Sequence, residues 1–420
     1  MIEINSKTDC CGCHACVQAC PKNCISMRAD EEGFLYPEVN KTACIGCGLC
    51  EKVCPVINQS EEIRPTHVYA AKNPDEQTRI QSSSGGVFTM LAQKVIDEGG
   101  VVFGARFDEN WDVIHDYTET ESGLPAFRGS KYVQSRIGDT FIHAREFLNQ
   151  GRKVLFSGTP CQIAALRLYL RRQYENLLTI DVVCHGVPSP GVWRAYLEHI
   201  MRPEGAAGKN TVLCSLKGMP EISGISFRDK STGWKKYGFV VRVKSAPGAD
   251  KNSVCGALEA EESEVYLQET LDVNVFMRGF LKDLYLRPSC HECPAKSGKS
   301  HSDITIADFW GVSRYFPEYD DDRGVGLVLV NTEKGNQILS TLKIDKIESS
   351  FEQAVAGNPA IVRSARLHKW RENFWKEYSK NCIDAIVPVC EKMKPGLLRR
   401  IYCKIRLRAV KLIKKIIRRK

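Results

Sequence analysis

Six short runs of β-branched, aromatic and aliphatic residues punctuate the chain: HVYAAK (67–72), VVFGARF (101–107), KVLFSG (153–158), LLTIDVV (177–183), DITIADF (303–309) and VGLVLVN (325–331). Each reads as a strand. Between several of them lie segments with helical spacing of apolar positions, such as Gly86–Glu98 and Gln162–Tyr174. Strands alternating with helices predict an α/β core with at least some parallel strands. Residues 212–275 depart from this pattern, since SGISFRDKSTGWKKYGFVVRV predicts an antiparallel excursion around a turn at Ser231-Thr232-Gly233. After Pro395-Gly396 the spacing predicts one last helix, with Leu398, Ile401, Ile405, Leu412 and Ile416 on a single stripe and cations over the rest. Residues 1–58 carry neither period, and the polar stretch Gln59–Pro65 reads as a linker.

Composition adds little until it is located. With 43% apolar and 26% charged residues over 420 positions, the chain is an ordinary globular one with room for two or three domains. The formal charge of +9 is uneven: residues 392–420 carry 13 basic side chains and no acid, leaving 46 basic against 50 acidic residues before them. A mildly acidic body with a basic tail is not the signature of a nucleic-acid binder, and aromatics for base stacking are sparse in the tail. Met1–Cys10 has no basic then apolar character, so no secretory signal peptide is expected, and no apolar run is long enough to span a bilayer. A cytoplasmic protein is expected, where clustered cysteines read as metal ligands rather than disulfides.

Ten of the 19 cysteines fall within the first 54 residues. Cys10, Cys13, Cys16 and Cys20 recur 34 positions later as Cys44, Cys47, Cys50 and Cys54, each set spelling C-x2-C-x2-C-x3-C-P. Three closely spaced thiolates can hold three corners of one cubane, while the fourth, followed by proline, reaches the partner cluster. The spacing therefore predicts one [4Fe–4S] cluster on Cys10, Cys13, Cys16 and Cys54, and a second on Cys44, Cys47, Cys50 and Cys20. Structural zinc has no use for the third cysteine and the Cys-Pro. Cys11 and Cys24 fall outside the spacing and read as small apolar fillers. The module resembles the bacterial dicluster ferredoxin domain, whose work is moving single electrons.

The core carries a second set. If the strands at 153–158 and 177–183 are parallel, Cys161 and Cys184 both lie at carboxyl ends, the edge where open α/β sheets bind ligands. Cys290 and Cys293 form a CxxC just before the strand at 303–309. These four make a third metal site of [4Fe–4S] or zinc type. The run Ser82–Gly86 precedes a helix and offers N-capping serines, permissive glycines and free N–H groups that favour an anion. No GxGxxG is present, so a Rossmann dinucleotide site is not indicated.

Here the sequence resembles the coenzyme F420 hydrogenase/dehydrogenase beta subunit family. The resemblance spans roughly residues 66–380 and rests on SSSGGVFTMLAQKVIDEGG, RGSKYVQS (128–135), TPCQ (159–162), VCHG (183–186), CHECP (290–294) and SDITIADFWG (302–311). It implies an FAD held without a Rossmann motif and an iron–sulfur cluster close to it. On this resemblance Ser84, Gly85, Gly86 and Thr89 cradle the flavin phosphates, Lys131 and Tyr132 line the flavin, and Thr159 and Gln162 join the cofactor site. Cys161, Cys184, Cys290 and Cys293 hold the nearby cluster, and His185 and Asp308 are candidate proton donors in catalysis.

The expected architecture is α+β and multidomain: a dicluster ferredoxin module (1–58), an N-terminal beta-subunit-like domain (66–150), a flavin and iron–sulfur domain with the antiparallel excursion (151–390), and a basic amphipathic tail helix (391–420). The expected function is an iron–sulfur flavoprotein oxidoreductase. It would draw on ferredoxin or a similar donor and exchange a hydride equivalent with a small molecule, either a coenzyme F420-like deazaflavin or an intermediate of surface-polysaccharide metabolism. The alternative is a non-catalytic electron-transfer subunit that supplies a partner enzyme, so an oligomer is open. Residues 396–420 suit an anionic membrane surface, which would make the protein peripheral.

Overall fold

The computed structural model describes residues 1–201, 221–244 and 264–393. The tail helix expected beyond Pro395 lies outside them. In chain order the strands are β1 (Ile25–Ala29), β2 (Leu35–Val39), β3 (His67–Lys72), β4 (Val101–Phe107), β5 (Val113–Thr118), β6 (Val154–Gly158), β7 (Leu177–Val182), β8 (Glu221–Asp229), β9 (Gly238–Lys244), β10 (Glu264–Thr270), β11 (Ile304–Asp308), β12 (Gly326–Val330) and β13 (Asp345–Glu348). All six expected runs form strands. They fall in one eight-stranded mixed sheet of order β13-β3-β12-β11-β7-β6-β4-β5. β4, β6, β7 and β11 are mutually parallel, and the outer pairs are antiparallel.

Alternation along the strands explains the layers. Phe103 and Phe156 point to one face, where they meet Phe141, Ile163 and Leu166 of the helices Thr140–Asn149 and Pro160–Leu170. Val102 and Leu155, one residue away, point to the other and pack on Leu91 and Val95 of the helix Val87–Asp97. Both faces are covered, so the central strand β12 reads Gly-Leu-Val-Leu-Val and is buried throughout. Strands drawn from residues 67–118 pair with strands from 154–330. The boundary expected at 150/151 thus falls inside a single sheet.

The antiparallel excursion is a separate three-stranded sheet, β10-β9-β8, turning at Ser231–Gly233 as the pattern indicates. Phe227 and Phe239 from it pack on Trp193 and Tyr196 of the helix Pro190–Met201 and on Phe276. The N-terminal module has the hairpin β1–β2, two single-turn α-helices and the 3-10 turn Lys7–Asp9. Its own apolar core is largely cysteine, so it leans on the α/β body: Cys11, Cys13, Ala15 and Val53 share one buried cluster with Phe141, Phe156 and Tyr169. Polar contacts fix the same seam. Gln18 accepts from the amides of Phe141 and Ile142 at 2.9 and 3.2 Å, Ser189 donates to the Glu32 carbonyl, and Arg371 clamps the buried Glu32 carboxylate with two bonds while also reaching the Leu286 carbonyl at 3.0 Å.

Removing one partner of a buried ion pair strands the other. Arg371→Met is expected to lower stability by about 3–5 kcal/mol, read as a drop in the denaturation midpoint, with Glu32→Gln in the same chain restoring part of the loss.

Candidate functional site

Parallel pairing of β6 with β7, and of β7 with β11, puts three carboxyl ends on one edge of the sheet. β6 runs into Thr159 and Cys161, β7 into Cys184 and His185, and β11 ends at Asp308. Cys161 sits in the first turn of its helix because Thr159 caps it, with the Gln162 side chain reaching back to the Thr159 amide at 2.8 Å. Cys290 and Cys293 arrive on the short 3-10 turn Pro288–Glu292, and the Val187 amide donates to the Cys290 sulfur at 3.4 Å. Cys161, Cys184, Cys290 and Cys293 lie near enough that each thiolate would feel its neighbours' charge; burial, with Cys161 and Cys293 adding to it, pushes the Cys184 thiol up to about 12.

The N-terminal cysteines gather in two neighbouring places. Cys16 lies beside Cys10 and Cys54, and burial together with these neighbours raises its thiol to about 12. Cys20, Cys44, Cys47 and Cys50 line one space of about 360 Å³ at the far end of the module. Its rim is exposed at Cys47 and Ile45. Backbone amides aim at sulfur in both places, from Ile2 to Cys50 at 3.3 Å and from Gly12 to Cys10 at 3.4 Å. Among the described residues no three of His, Cys, Asp and Glu converge closely enough for a single metal ion.

Two cysteines read as fillers have sulfur neighbours. The Cys24 sulfur lies 3.4 Å from that of Cys20, on the wall of the same space. Cys11 is buried with its thiol between Cys13 of the module and Cys161 of the core. Neither role is visible in spacing, because each depends on how the chain closes on itself.

The candidate flavin residues gather around two loops joined by serines. Ser83 accepts from the Ser130 amide at 2.7 Å, which brings Ser82–Gly86 against Ser130–Tyr132. The Tyr132 hydroxyl accepts from Arg228 at 3.2 Å, and its ring packs on Phe280 with centroids 4.9 Å apart. Ser84 donates to the Val325 carbonyl at 2.9 Å, and Thr89 is buried against Arg128. Gly86 opens the helix at φ +79°. Gly85 faces the sheet: a β-carbon there would strike the Ala71 carbonyl and come to 2.5 Å from the Gly326 amide nitrogen. It permits close packing. Thr159 and Gln162 lie on the cysteine side; Gln162 donates to Ser135, which pairs with the buried His115, whose imidazole burial holds down to about 4.

Charge at this loop is unbalanced. Lys131 bonds only backbone carbonyls, of Ala126 and Arg128. Lys230, which the sequence did not single out, bonds the carbonyls of Arg79, Ser84 and Arg323. Burial pushes both ammonium groups down to about 7. Lys230 thus spends all three ammonium hydrogens on carbonyls, while Lys131 keeps one free beside the serine loop. Both Asp308 oxygens accept from Arg228 at 2.8 Å, and Trp234 adds a third bond at 2.6 Å. His185, half exposed, bonds Asp283 at 2.5 Å beside Cys184. Asp283 was also invisible in sequence.

Replacing Cys184 and Cys290 by serine is expected to remove about four iron atoms per reconstituted chain and leave about eight. Gly85→Ala is expected to lower the thermal midpoint with iron content unchanged.

Residues 151–352 match the family described as the C terminus of the beta subunit of coenzyme F420 hydrogenase/dehydrogenase, and residues 9–58 match the 4Fe-4S dicluster domain. No curated protein matches. Among solved structures, the chain is similar to one from the F420-reducing [NiFe] hydrogenase complex of Methanosarcina barkeri, at 17% identity, covering 79% of this chain and 94% of that one, with a TM-score of 0.42. By these matches, a segment similar to the 4Fe-4S dicluster domain precedes one similar to the C terminus of the beta subunit of coenzyme F420 hydrogenase/dehydrogenase.

Proposed function

We propose that the chain is an oxidoreductase subunit that takes single electrons at the exposed end of its dicluster module and delivers them to an FAD at the carboxyl edge of the large sheet. The observation that carries this reading is the order of the three cysteine sets. The set of Cys20, Cys44, Cys47 and Cys50 reaches the surface at Cys47. Cys10, Cys13, Cys16 and Cys54 lie deeper, and Cys11 brings that set against Cys161 of the third. A ferredoxin-like donor would dock at the first.

At the other end Lys131 and the Ser83–Ser84 backbone would hold the flavin phosphates, with the charge of Lys230 behind that loop and Tyr132 beside the ring system. When bound, FAD supplies the exchange between single electrons and a hydride equivalent. The chain's own residues do the rest. The Arg228–Asp308 pair, backed by the stacked rings of Trp234 and Trp310, walls the site and excludes water. His185, oriented by Asp283, is positioned to hold or release a proton next to the third cysteine set.

The family name supports a deazaflavin as the small-molecule partner. An intermediate of surface-polysaccharide metabolism is the second substrate class, motivated by the basic tail at residues 396–420 and its suitability for an anionic membrane surface. Among the described residues no helix is long and apolar enough to cross a membrane. The second reading of the chain is an electron-transfer subunit without its own substrate.

Anaerobic reconstitution with iron, sulfide and FAD, followed by oxidation of reduced deazaflavin with a dye acceptor, tests the proposal. Stoichiometric FAD and turnover support it; full iron with no FAD retained favours the electron-transfer subunit. The lysines set a pH dependence. Their ammonium groups titrate near 7 in the free protein, and an adjacent phosphate raises them, so binding takes up protons above that pH. FAD affinity is expected to fall as pH rises from 7 toward 10, by at most about tenfold per pH unit for each lysine. Lys230→Met should weaken binding by roughly ten- to a hundredfold and flatten the profile. A fluorescence titration at several pH values reads both.

A further inference from the structure

Three arginines are buried among the described residues: Arg79, Arg228 and Arg287. Arg79 has Asp321 and Glu76, and Arg228 has Asp308. Arg287 is fully buried, and among the described residues it has no carboxylate within bonding distance. Its guanidinium instead sits inside the first cysteine loop. Nε donates to the Cys10 carbonyl at 2.7 Å, one terminal nitrogen to Gln134 at 2.9 Å, and the other to the Leu35 carbonyl at 2.8 Å and the Cys10 sulfur at 3.4 Å. The ring of Tyr36 lies 4.4 Å from the guanidinium carbon. Gly12, at φ +71°, makes the room: a β-carbon there would come within 2.7 Å of the guanidinium.

The same residue belongs to the other side of the seam. Arg287 N-caps the turn that carries Cys290 and Cys293, and its carbonyl accepts from the Cys290 amide at 2.9 Å. Burial alone would disfavour the charged guanidinium, but Cys10, Tyr36, Cys11 and Cys290 all act on it in the opposite sense. A buried cation without a carboxylate costs several kcal/mol unless another anion neutralises it. The anions within reach are sulfur.

We propose that Arg287 is a positioning residue that supplies the counter-charge for the cluster held by Cys10, favouring its reduced state, and that couples this charge to the Cys290 side of the seam. The proposal rests on the cysteine assignments above. Reduction adds one negative charge to a four-thiolate cluster, delivered by the ferredoxin-like donor, and the fixed cation stabilises that charge without a proton moving. The effect is local: Arg287 touches the first set and not the surface set around Cys47.

The test is an EPR-monitored redox titration of the full, reconstituted chain. In Arg287→Gln, one of the two N-terminal waves is expected to move down by at least tenfold in the reduction equilibrium, about 59 mV for one electron, while the other stays. Arg287→Lys, which keeps the charge, should recover most of that shift. Gln134→Glu, which sets a carboxylate against the guanidinium, should move the same wave down. Neither wave moving in Arg287→Gln at full iron overturns the proposal, as does a shift in Arg287→Lys equal to that in Arg287→Gln, which would mark a merely structural role. Should Arg287→Gln not hold iron, Gln134→Glu decides alone, by the same wave moving or standing still. Iron of about eight rather than twelve per wild-type chain would remove the third cluster from the functional reading; the N-terminal wave still decides the role of Arg287.

Discussion

The buried Arg287 guanidinium is the contact on which the arrangement of this molecule turns. A small module whose own core is mostly sulfur cannot bury enough apolar surface to hold itself in register against a larger body. Arg287 solves two problems at once. It satisfies backbone carbonyls of the cysteine loop and of β2 that would otherwise be buried without donors, and it anchors the turn carrying Cys290 and Cys293. Around it, Gln134, Glu32 with Arg371, and Gln18 secure the seam from several directions. The distance between the first and third cysteine sets is therefore a property of folding rather than of a flexible linker.

The large sheet contributes the other fixed geometry. Parallel β6, β7 and β11 deliver their chain ends to one edge, and that edge receives sulfur from two strands and charge from a third. The antiparallel sheet then reaches over with Arg228 and Lys230. The cation-rich loop is completed by an element that interrupts the α/β pattern. The antiparallel excursion of the sequence thus borders the proposed site.

Much of this was legible beforehand. The six strand runs were plain because both faces of the sheet are covered, so the strands read as continuous apolar stretches. The dicluster module was plain because cluster ligation imposes a spacing that nothing else requires. That Cys161 and Cys184 share an edge followed once their strands were taken as parallel, which the pairing of β6 with β7 bears out. What stayed hidden were residues whose meaning depends on tertiary closure. Cys11 reads as a filler until Cys161, far away in sequence, is folded against it. Arg287, Lys230 and Asp283 sit in ordinary local contexts and acquire roles only from neighbours on other elements. Gly85 looked like part of an anion cradle, yet its bare α-carbon is needed by the strand behind it. Asp308 could be named from the sequence, but its arginine partner, supplied by the excursion, could not.

The exposure of Cys47 has a further consequence. The surface space where we propose that a donor docks would also meet dissolved oxygen, whereas Cys13, Cys16 and Cys54 are buried. Damage in air would then have a direction. The outermost set would be attacked first, and on the proposed route the chain would lose its electron entry while the inner sets and the sheet edge survive. An aerobically handled preparation would be a folded, iron-containing molecule that has gone deaf to its donor.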